Sequence, residues 1–468
     1  IKFANIMFVL GISLSIFIVI YAIYKINNPT TPPVSPVFYI YCVLSGVLFA
    51  ALFVLGLNKL SNNLKVSLSV NFLIIVITVY GFEIYLELQR KKLLQNNEII
   101  AEQMGIPFDK RTKMEVINDL KDTGVEAFPN VHPSHLLTDI ITKNGLSTKN
   151  GIIFPLGGIS NKLMVQSNEN GYWMMYTGDK YGFHNSNDVY KNKIIDILIS
   201  GDSFGEGWSV KSEENIGGVL QERGFNVVNI AKSGNGPLLE LGSLKEYAEA
   251  LKPKIVLWVY FVNDLNDLEV EMQSSILKKY LNEDDFSQNL IFRQEEIDNV
   301  LKNYIQTELE KIRSKQIESE KNTERAINWK KSTLITIAKL FNIRSMINLN
   351  PKLKLTPTRP IFRNILQKSQ QMVSSWNGKM YFVYMPTYGT YKRGNKHEFR
   401  DFVIQIVNEL DIPIIDIHEE VFDPHPDPLS LFPFRMNNHY NDEGYRLVAE
   451  AIAKRLKEDG YIPMKSKK

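Results

Sequence analysis

The stretch Ile194–Ser200, IIDILIS, runs directly into Gly201–Gly207, GDSFGEG. The first stretch is an almost continuous apolar run, which is typical of a strand buried on both faces of a sheet. The second is rich in glycine and begins a turn, so Ser203 is expected just past the carboxyl end of that strand. A serine at a strand-to-helix turn can expose its hydroxyl and aim its own N–H at a developing oxyanion.

Four more apolar runs follow along the chain, and amphipathic helical patterns separate most of them. These runs are Val227–Ala231, Ile255–Phe261, Lys379–Tyr384 and Ile412–Ile417. Buried strands alternating with helices favour an α/β fold with a doubly wound parallel sheet. In such sheets the polar residues after the strands form the site, and here they are Asp202, Ser203, Gly234, Asn235, Asn263 and Asp264.

Four short blocks in this order resemble the SGNH hydrolases, the GDSL-type esterase superfamily. They are Gly201-Asp202-Ser203-Phe204, Asn229–Gly234, Phe261–Asp264 and His439–Gly444. The similarity covers roughly residues 191–462 without an insertion. It implies a flavodoxin-like sheet and acyl transfer through a covalent serine ester.

The resemblance also implies a role for each matching residue. Ser203 would be the nucleophile and His439 the general base. The backbone N–H groups of Ser203 and Gly234 and the side-chain amide of Asn263 would form the oxyanion hole. Phe261 stands where the family usually has glycine, and Asn263 could instead be a turn residue that bonds local backbone.

One position departs from the family pattern. The family usually has aspartate three residues before the histidine, where this chain has Met436. We expect Asp427, the nearest upstream acid, to orient His439. The alternatives are a backbone carbonyl, an asparagine, or a Ser–His dyad, and a catalytically silent protein also remains open.

The same region suggests a competing metal site. The side chains of Asp416, His418, Asp423, His425 and Asp427 are all of metal-ligating type. Because prolines punctuate this stretch, we interpret it as a rigid surface loop, and we expect neither a metal nor a cofactor.

The first 94 residues predict a membrane anchor. Three uncharged segments, Ile6–Tyr24, Val37–Leu57 and Val66–Phe82, approach the roughly 20 residues that a spanning helix needs. Three such segments in a row argue against a cleaved signal peptide.

Two further regions are expected. Residues 95–190 are interpreted as a linker helix and small β-hairpins, with turns at NENG (168–171) and TGDKYG (177–182). Residues 191–468 are the α/β domain, with a charged helical insertion at about 267–375 whose more apolar part, 333–349, could pack on the domain or lie at the membrane surface.

Composition excludes some functions. The net charge is +3, from 54 basic and 51 acidic residues, so bulk charge does not suggest nucleic acid as a partner. A single cysteine, Cys42, excludes an intrachain disulfide. The flanking charges favour a cytoplasmic C-terminal domain by one charge. The uncharged, proline-rich loop at 27–36 favours the opposite orientation, and we expect the α/β domain on the extracytoplasmic side.

The sequence therefore predicts a multi-pass, membrane-anchored serine esterase or acyl-ester transferase. By resemblance, its substrate would be acyl groups of a surface glycan, or another ester. A silent glycan- or lipid-binding scaffold and a bilayer-associated lipase or thioesterase are the alternatives. The sequence does not define the oligomeric state.

Overall fold

The computed structural model describes residues 1–28, 36–93, 97–321, 333–346, 358–393 and 399–463. The chain divides into two compact units. The first contains Ile1–Gln95 and Arg313–Pro357, and the second contains Asn96–Ile312 and Thr358–Lys468.

The first unit contains three long apolar helices. They are α1 (Lys2–Asn27), α2 (Pro36–Lys59) and α3 (Asn62–Leu93). Each is long and apolar enough to cross a membrane. Two short helices, α14 (333–338) and α15 (Phe341–Met346), also belong to this unit, and α15 packs on α3.

The second unit is α/β. Before its main sheet come α4 (Asn97–Gln103), α5 (Lys113–Asp122), β1 (Ala127–Pro129), α6 (Pro133–Leu137), β2 (Leu146–Thr148), β3 (Gly151–Ile153), β4 (Leu163–Val165) and β5 (Met175–Thr177). The sheet strands are β6 (Ile197–Gly201), β7 (Val227–Asn229), β8 (Ile255–Tyr260), β9 (Lys379–Tyr384) and β10 (Ile414–Asp416). The remaining helices are α7 (Ser203–Glu206), α8 (Ile216–Glu222), α9 (Pro237–Ser243), α10 (Glu249–Leu251), α11 (Asp264–Glu271), α12 (Ser275–Asn282), α13 (Gln294–Lys321), α16 (Thr358–Ser375), α17 (Tyr388–Arg393), α18 (Arg400–Glu409) and α19 (Asp442–Glu458).

The main sheet is parallel, as the sequence predicts. Its spatial order is β10-β9-β8-β6-β7. In register, Ile199 of β6 pairs with Asn229 of β7 on one side and with Leu257 of β8 on the other. The connections reverse direction at β6, so a crevice opens at the carboxyl ends of β6 and β8, where open α/β sheets bind ligands.

Alternate residues of the strands bury against opposite faces. Leu198 and Trp258 belong to the core on the face that α9 and α16 cover. Ile199 and Leu257 belong to the core on the other face, with α8 and α19. Burial on both faces explains why the strands read as continuous apolar runs.

Residues 97–190 belong to the same compact unit as the sheet. The turn signals at 168–171 and 177–182 flank β5. The first of them joins β4 to β5, which pair antiparallel, and β4 also pairs parallel with β1. Strands β2 and β3 form a second antiparallel pair.

The span predicted as an insertion, about 267–375, is divided between the units. Helix α16 packs on β9 and α9, so it is a covering helix of the sheet. Helix α12 also packs on α9. Residues 313–357, in contrast, belong to the unit that contains the apolar helices.

Candidate active site

Ser203 lies in the turn between β6 and α7. Asp202 caps the helix, and its carboxylate accepts a hydrogen bond of 2.9 Å from the N–H of Phe204. Ser203 is the first helical residue, so its own N–H has no partner within the helix. The turn is tight: a Cβ on Gly201 would lie 2.7 Å from the carbonyl oxygen of Val259. The hydroxyl of Ser203 therefore stands at the carboxyl edge of the sheet with little freedom in its backbone.

His439 completes a pair with Ser203. Its Nε2 lies 2.7 Å from Ser203 Oγ, although the two residues are 236 positions apart. The neighbours of His439 fix the loop that presents it. Tyr440 is buried and donates its hydroxyl to the carbonyl of Pro386, and Asn441 caps α19 by accepting from the N–H of Gly444.

Glu169 contacts the other side of the His439 ring. Its carboxylate oxygens lie 3.0 and 3.1 Å from Nδ1, and it also accepts a hydrogen bond of 2.9 Å from the backbone N–H of His439. A carboxylate on Nδ1 favours the tautomer with a proton there, which leaves Nε2 free to accept the proton of Ser203. Glu169, His439 and Ser203 therefore have the geometry of an acid–base–nucleophile triad.

The loop between β4 and β5 holds Glu169 in place. Asn168 donates from its amide to the carbonyl of Asp109, and Asn170 donates to the carbonyl of Ser209, both at 2.6 Å. Burial alone would raise the pKa of Glu169. The charge of His439, with hydrogen bonds from His439 and Trp208, outweighs burial and holds the pKa below its ordinary value. Glu169 is thus poised to remain ionised beside the imidazole.

The expected role of Asp427 is corrected. Both oxygens of its carboxylate accept hydrogen bonds from the guanidinium of Arg435, at 2.5 and 2.8 Å. Glu169 occupies the position at His439 Nδ1 that Asp427 was expected to fill. Arginine satisfies a carboxylate with two parallel bonds, and this pairing accounts for where Asp427 points.

Sequence reasoning missed Glu169 because it lies in a turn that reads as a simple hairpin connection. The segment Asn168–Gly171 has the composition of a turn, and an acid in a turn is unremarkable. Only the docking of this loop against the α/β core brings the carboxylate to the histidine.

Aromatic rings enclose the His439 imidazole. The ring centroid of Phe204 lies 4.7 Å from that of His439, and the ring centroid of Trp208 lies 5.7 Å away. The Trp208 side chain also helps to lower the pKa of Glu169. The imidazole is therefore packed on its faces and bonded at both nitrogens, which restricts it to one orientation.

Asn263 lies after β8 and lines the same cavity as Ser203. One N–H of its amide donates to Asp267 over 2.5 Å. The amide has two N–H groups, so one remains for a ligand. Among the described residues, no group forms a hydrogen bond with the buried Oδ1 of Asn263. This arrangement suits a side chain that aims one N–H into the cavity.

Gly234 adopts a φ of +69°, a region that favours glycine. A Cβ there would lie 2.3 Å from Ser134 Oγ, so α6 covers this glycine closely. Asn263 lines the cavity beside Ser203, whereas Gly234 is not among its described lining residues. The expectation that Gly234 contributes an oxyanion donor therefore stays a prediction.

Several buried carboxyl groups, including that of Asp202 next to Ser203, have raised pKa values. Burial, opposed by hydrogen bonds that include the one from the Phe204 N–H, raises the pKa of Asp202 to about 6. Burial and the charge of Asp202 raise the pKa of Asp267 to about 7. Burial raises the pKa of Glu271 to about 8, although Leu238 and Gly236 donate backbone hydrogen bonds to it. These raised pKa values favour the neutral, protonated forms of the three carboxyl groups.

Two of the side chains considered as metal ligands bond to other residues. Asp416 pairs with Arg400, and His418 Nδ1 lies 2.8 Å from the hydroxyl of Tyr391. Within the described ranges, no group of three or more His, Cys, Asp or Glu side chains is arranged to hold a metal ion.

A buried ion pair lies within the α/β core, and two residues from the region before the main sheet bond to it. Lys232, which follows β7, lies 3.3 Å from Glu206 of α7, and both side chains are almost fully buried. Asn130 and Tyr176, from β1's end and β5, also bond Glu206. Removing one partner of a buried pair typically costs about 3–5 kcal/mol. The bonds from Asn130 and Tyr176 to Glu206 connect the region that carries Glu169 to α7.

The triad opens into a small polar cavity of about 240 Å³. Phe204 and Phe261 supply its apolar lining. The other lining residues are polar: Glu169, Asp202, Ser203, Asn263, Asn437, Asn438 and His439.

Solved structures of esterases resemble this chain over part of its length. The lipase/acylhydrolase from Enterococcus faecalis matches at 12% identity with a TM-score of 0.32, over 58% of this chain and 100% of that one. A lipolytic G-D-S-L family member from Veillonella parvula matches at 12% identity and a TM-score of 0.32, over 56% and 99%. An acetyl-xylooligosaccharide esterase from Geobacillus matches at 14% and 0.30, over 59% and 100%.

These overlaps are too remote to assign an activity or a substrate to this chain. No protein-family model matches the sequence, and no curated protein matches it.

Proposed function

We propose that this chain is a membrane-anchored serine esterase or acyl-ester transferase of the SGNH type. The observation that carries the proposal is the alignment of Ser203, His439 and Glu169. Nε2 of His439 lies 2.7 Å from the serine hydroxyl, and Nδ1 lies 3.0 Å from the carboxylate.

In this mechanism His439 accepts the proton of Ser203 as the hydroxyl attacks an ester carbonyl. The alcohol leaves with the proton that His439 returns, and an acyl-serine remains. Water or an acceptor hydroxyl then attacks the acyl-serine, with His439 again as the base. Glu169 stabilises the imidazolium formed in each half-reaction. The N–H groups of Ser203 and Asn263 are the proposed donors to the oxyanion.

The size and lining of the cavity support a small acyl group on a hydrophilic carrier. At about 240 Å³ it is smaller than the roughly 300–1,000 Å³ typical of drug-sized ligand sites. Its lining carries the amides of Asn263, Asn437 and Asn438, which suit hydroxyl-bearing substrates better than long alkyl chains. We therefore favour acyl groups of a surface glycan over lipid esters.

The catalytically silent alternative rested on Met436 in the family's aspartate position. The contact of Glu169 with His439 removes that reason. The membrane part of the proposal rests on the three apolar helices of the first unit, each long enough to span a bilayer.

The test uses the full chain in detergent micelles or vesicles. We expect hydrolysis of p-nitrophenyl acetate, a steep fall in rate as the acyl chain lengthens, and acetate release from O-acetylated polysaccharide. A preference for long-chain esters would identify a lipase instead. If no ester is turned over and no acyl-serine can be trapped, the proposal that this chain is an esterase or transferase is refuted.

A further inference from the structure

We propose that residues 333–346 form an in-plane helical segment that lies on the lipid bilayer beside the third apolar helix. The inference rests on the membrane anchoring proposed above. Its partner is the interfacial layer of a bilayer that contains anionic lipids.

The segment docks on α3 through a specific set of hydrogen bonds. The N–H groups of Asn342 and Ile343, in the first turn of α15, both donate to the carboxylate of Glu83 over 2.9 Å. The Asn342 amide donates to Glu83 and also to Glu87, at 2.9 and 3.0 Å. Glu83 and Glu87 are buried, on one face of α3, since they are four residues apart.

A second contact lies nearby. The hydroxyl of Tyr80 bonds the carbonyl of Ala338 at 3.4 Å. The guanidinium of Arg344 also lies close enough to interact electrostatically with Tyr39 and Cys42, at the start of α2. In a chain of three consecutive spans, the end of the third and the start of the second lie on the same side of the membrane. The hydrogen bond from Tyr80 and the proximity of Arg344 to the start of α2 therefore agree with a segment on one side of the membrane.

The position of Glu83 and Glu87 along α3 agrees with a docking site at the membrane interface. Helix α3 has 32 residues, or about 48 Å at 1.5 Å per residue, which exceeds a hydrocarbon core of about 30 Å. The uncharged part of α3 ends at Phe82, and Glu83 and Glu87 follow it where the helix leaves the hydrocarbon.

The exposed side chains of the segment are those of an interfacial helix. Leu334, Ile335, Phe341 and Met346 are 64%, 44%, 44% and 66% exposed. The segment TLITIAKLFNIRSM contains two basic residues, Lys339 and Arg344, and no acidic one. Apolar side chains can enter the acyl boundary while the basic ones reach anionic headgroups. This composition favours a lipid surface over a protein partner.

The consequence is a second attachment to the membrane. Helix α13 begins in the α/β unit and from residue 313 belongs to the membrane unit, and the chain returns to the α/β unit at α16. The α/β unit is thus connected to the membrane unit at three points of the chain, near residues 95, 312 and 358.

Site-directed spin labelling of the full chain tests the inference. In a Cys42→Ala background, Leu334→Cys, Phe341→Cys and Met346→Cys are labelled with a nitroxide. The protein is placed in vesicles of phosphatidylcholine and phosphatidylglycerol in equal parts. Leu48→Cys, 59% exposed on α2, is the lipid-facing reference, and Asp401→Cys is the reference in water.

We expect the three segment labels to collide more with oxygen than with a nickel chelate, as the Leu48 label does, whereas the Asp401 label prefers nickel. Nickel preference at all three, with oxygen preference at Leu48, would overturn the inference and leave the anchor standing. Nickel preference at Leu48 as well would overturn both. In an Asn342→Ala variant, the Phe341 label should become more mobile because the docking to Glu83 is weakened.

Discussion

Glu169 and His439 meet through three contacts although 270 positions of sequence separate them. The carboxylate bonds both the ring and the backbone of the histidine, so it fixes the side chain and the loop together. The site therefore depends on a loop from outside the α/β core, and this dependence can be tested directly.

Replacing Glu169 should cost much more activity than replacing Asp427. We expect Glu169→Gln to lower kcat by about 10²- to 10⁴-fold, because the amide can hold the wrong tautomer and cannot stabilise imidazolium. Asp427→Asn loses only an exposed pair with Arg435 and should leave kcat within a few-fold. Rates with p-nitrophenyl acetate decide between them, and equal, mild losses would leave a Ser–His dyad as the better description.

Ser203→Ala should abolish labelling by a fluorophosphonate and lower hydrolysis to background, a loss of up to about 10⁶-fold for a triad serine. The chain offers a matched control in a second Ser–His pair. Ser134 Oγ lies 2.8 Å from His132 Nδ1, but Ser134 does not line the cavity beside His439. Ser134→Ala should therefore keep the label. Transfer of the label to Ser134, or its persistence in Ser203→Ala, would contradict the assignment.

Asn263→Ala should lower kcat by about 10²- to 10³-fold with little change in KM, as loss of one oxyanion donor does. Asn266 is exposed on the same helix, and Asn266→Ala is the control that should leave both constants unchanged. A change confined to KM would show that Asn263 binds substrate in its ground state.

The raised pKa of Asp267 makes stability fall as pH rises. Burial and the charge of Asp202 raise this pKa to about 7, whereas an unfolded aspartate titrates near 4. Between pH ~4 and pH ~7 the folded state therefore keeps a proton on Asp267 that the unfolded state has lost. The stabilisation is fully present below pH ~4 and is lost as pH rises through about 7.

Asp267→Asn should remove this dependence, and its Tm should fall less than that of the wild type between pH 5 and pH 8. The free-energy difference should be on the order of a few kcal/mol. Asp401→Asn, at a fully exposed position, is the control. An unchanged pH slope in Asp267→Asn would mean that Asp267 is already ionised at pH 5.

A reporter fused after Lys468 tests the membrane orientation. We expect alkaline phosphatase activity and no fluorescence from green fluorescent protein, because the α/β unit is proposed to lie outside. A fluorescent, phosphatase-negative fusion would reverse the topology and shift the substrate to a cytoplasmic precursor or lipid.

The strands could be predicted from sequence because they depend on local pattern, and three of the site residues could be predicted because the short blocks around them resemble those of a known family. Burial on both faces makes the β6 and β8 stretches continuously apolar, and the end of each strand locates Ser203 or Asn263. The prediction of His439 rests on the resemblance of His439–Gly444 to the family's histidine block, which precedes a helix. These features need no knowledge of how distant parts of the chain meet.

Glu169 could not be predicted because its role depends on tertiary docking. Its neighbours predict a turn between β4 and β5, which is what the structure contains, and no local signal distinguishes this acid from others. Asp427 was favoured instead because it is near His439 in sequence. Arg435 is nearer to Asp427 in sequence than His439 is, and its guanidinium donates to both carboxylate oxygens.

The buried contact between Lys232 and Glu206 has a practical consequence for dissecting this chain. Asn130 and Tyr176 share that contact, so a fragment beginning at residue 191 would retain Ser203 and His439 but leave a buried cation and anion without their neutral partners. It would also lack Glu169. The rate at which a probe reacts with Ser203 therefore reports on folding. A full rate indicates that the region before residue 191 has packed on the region after it.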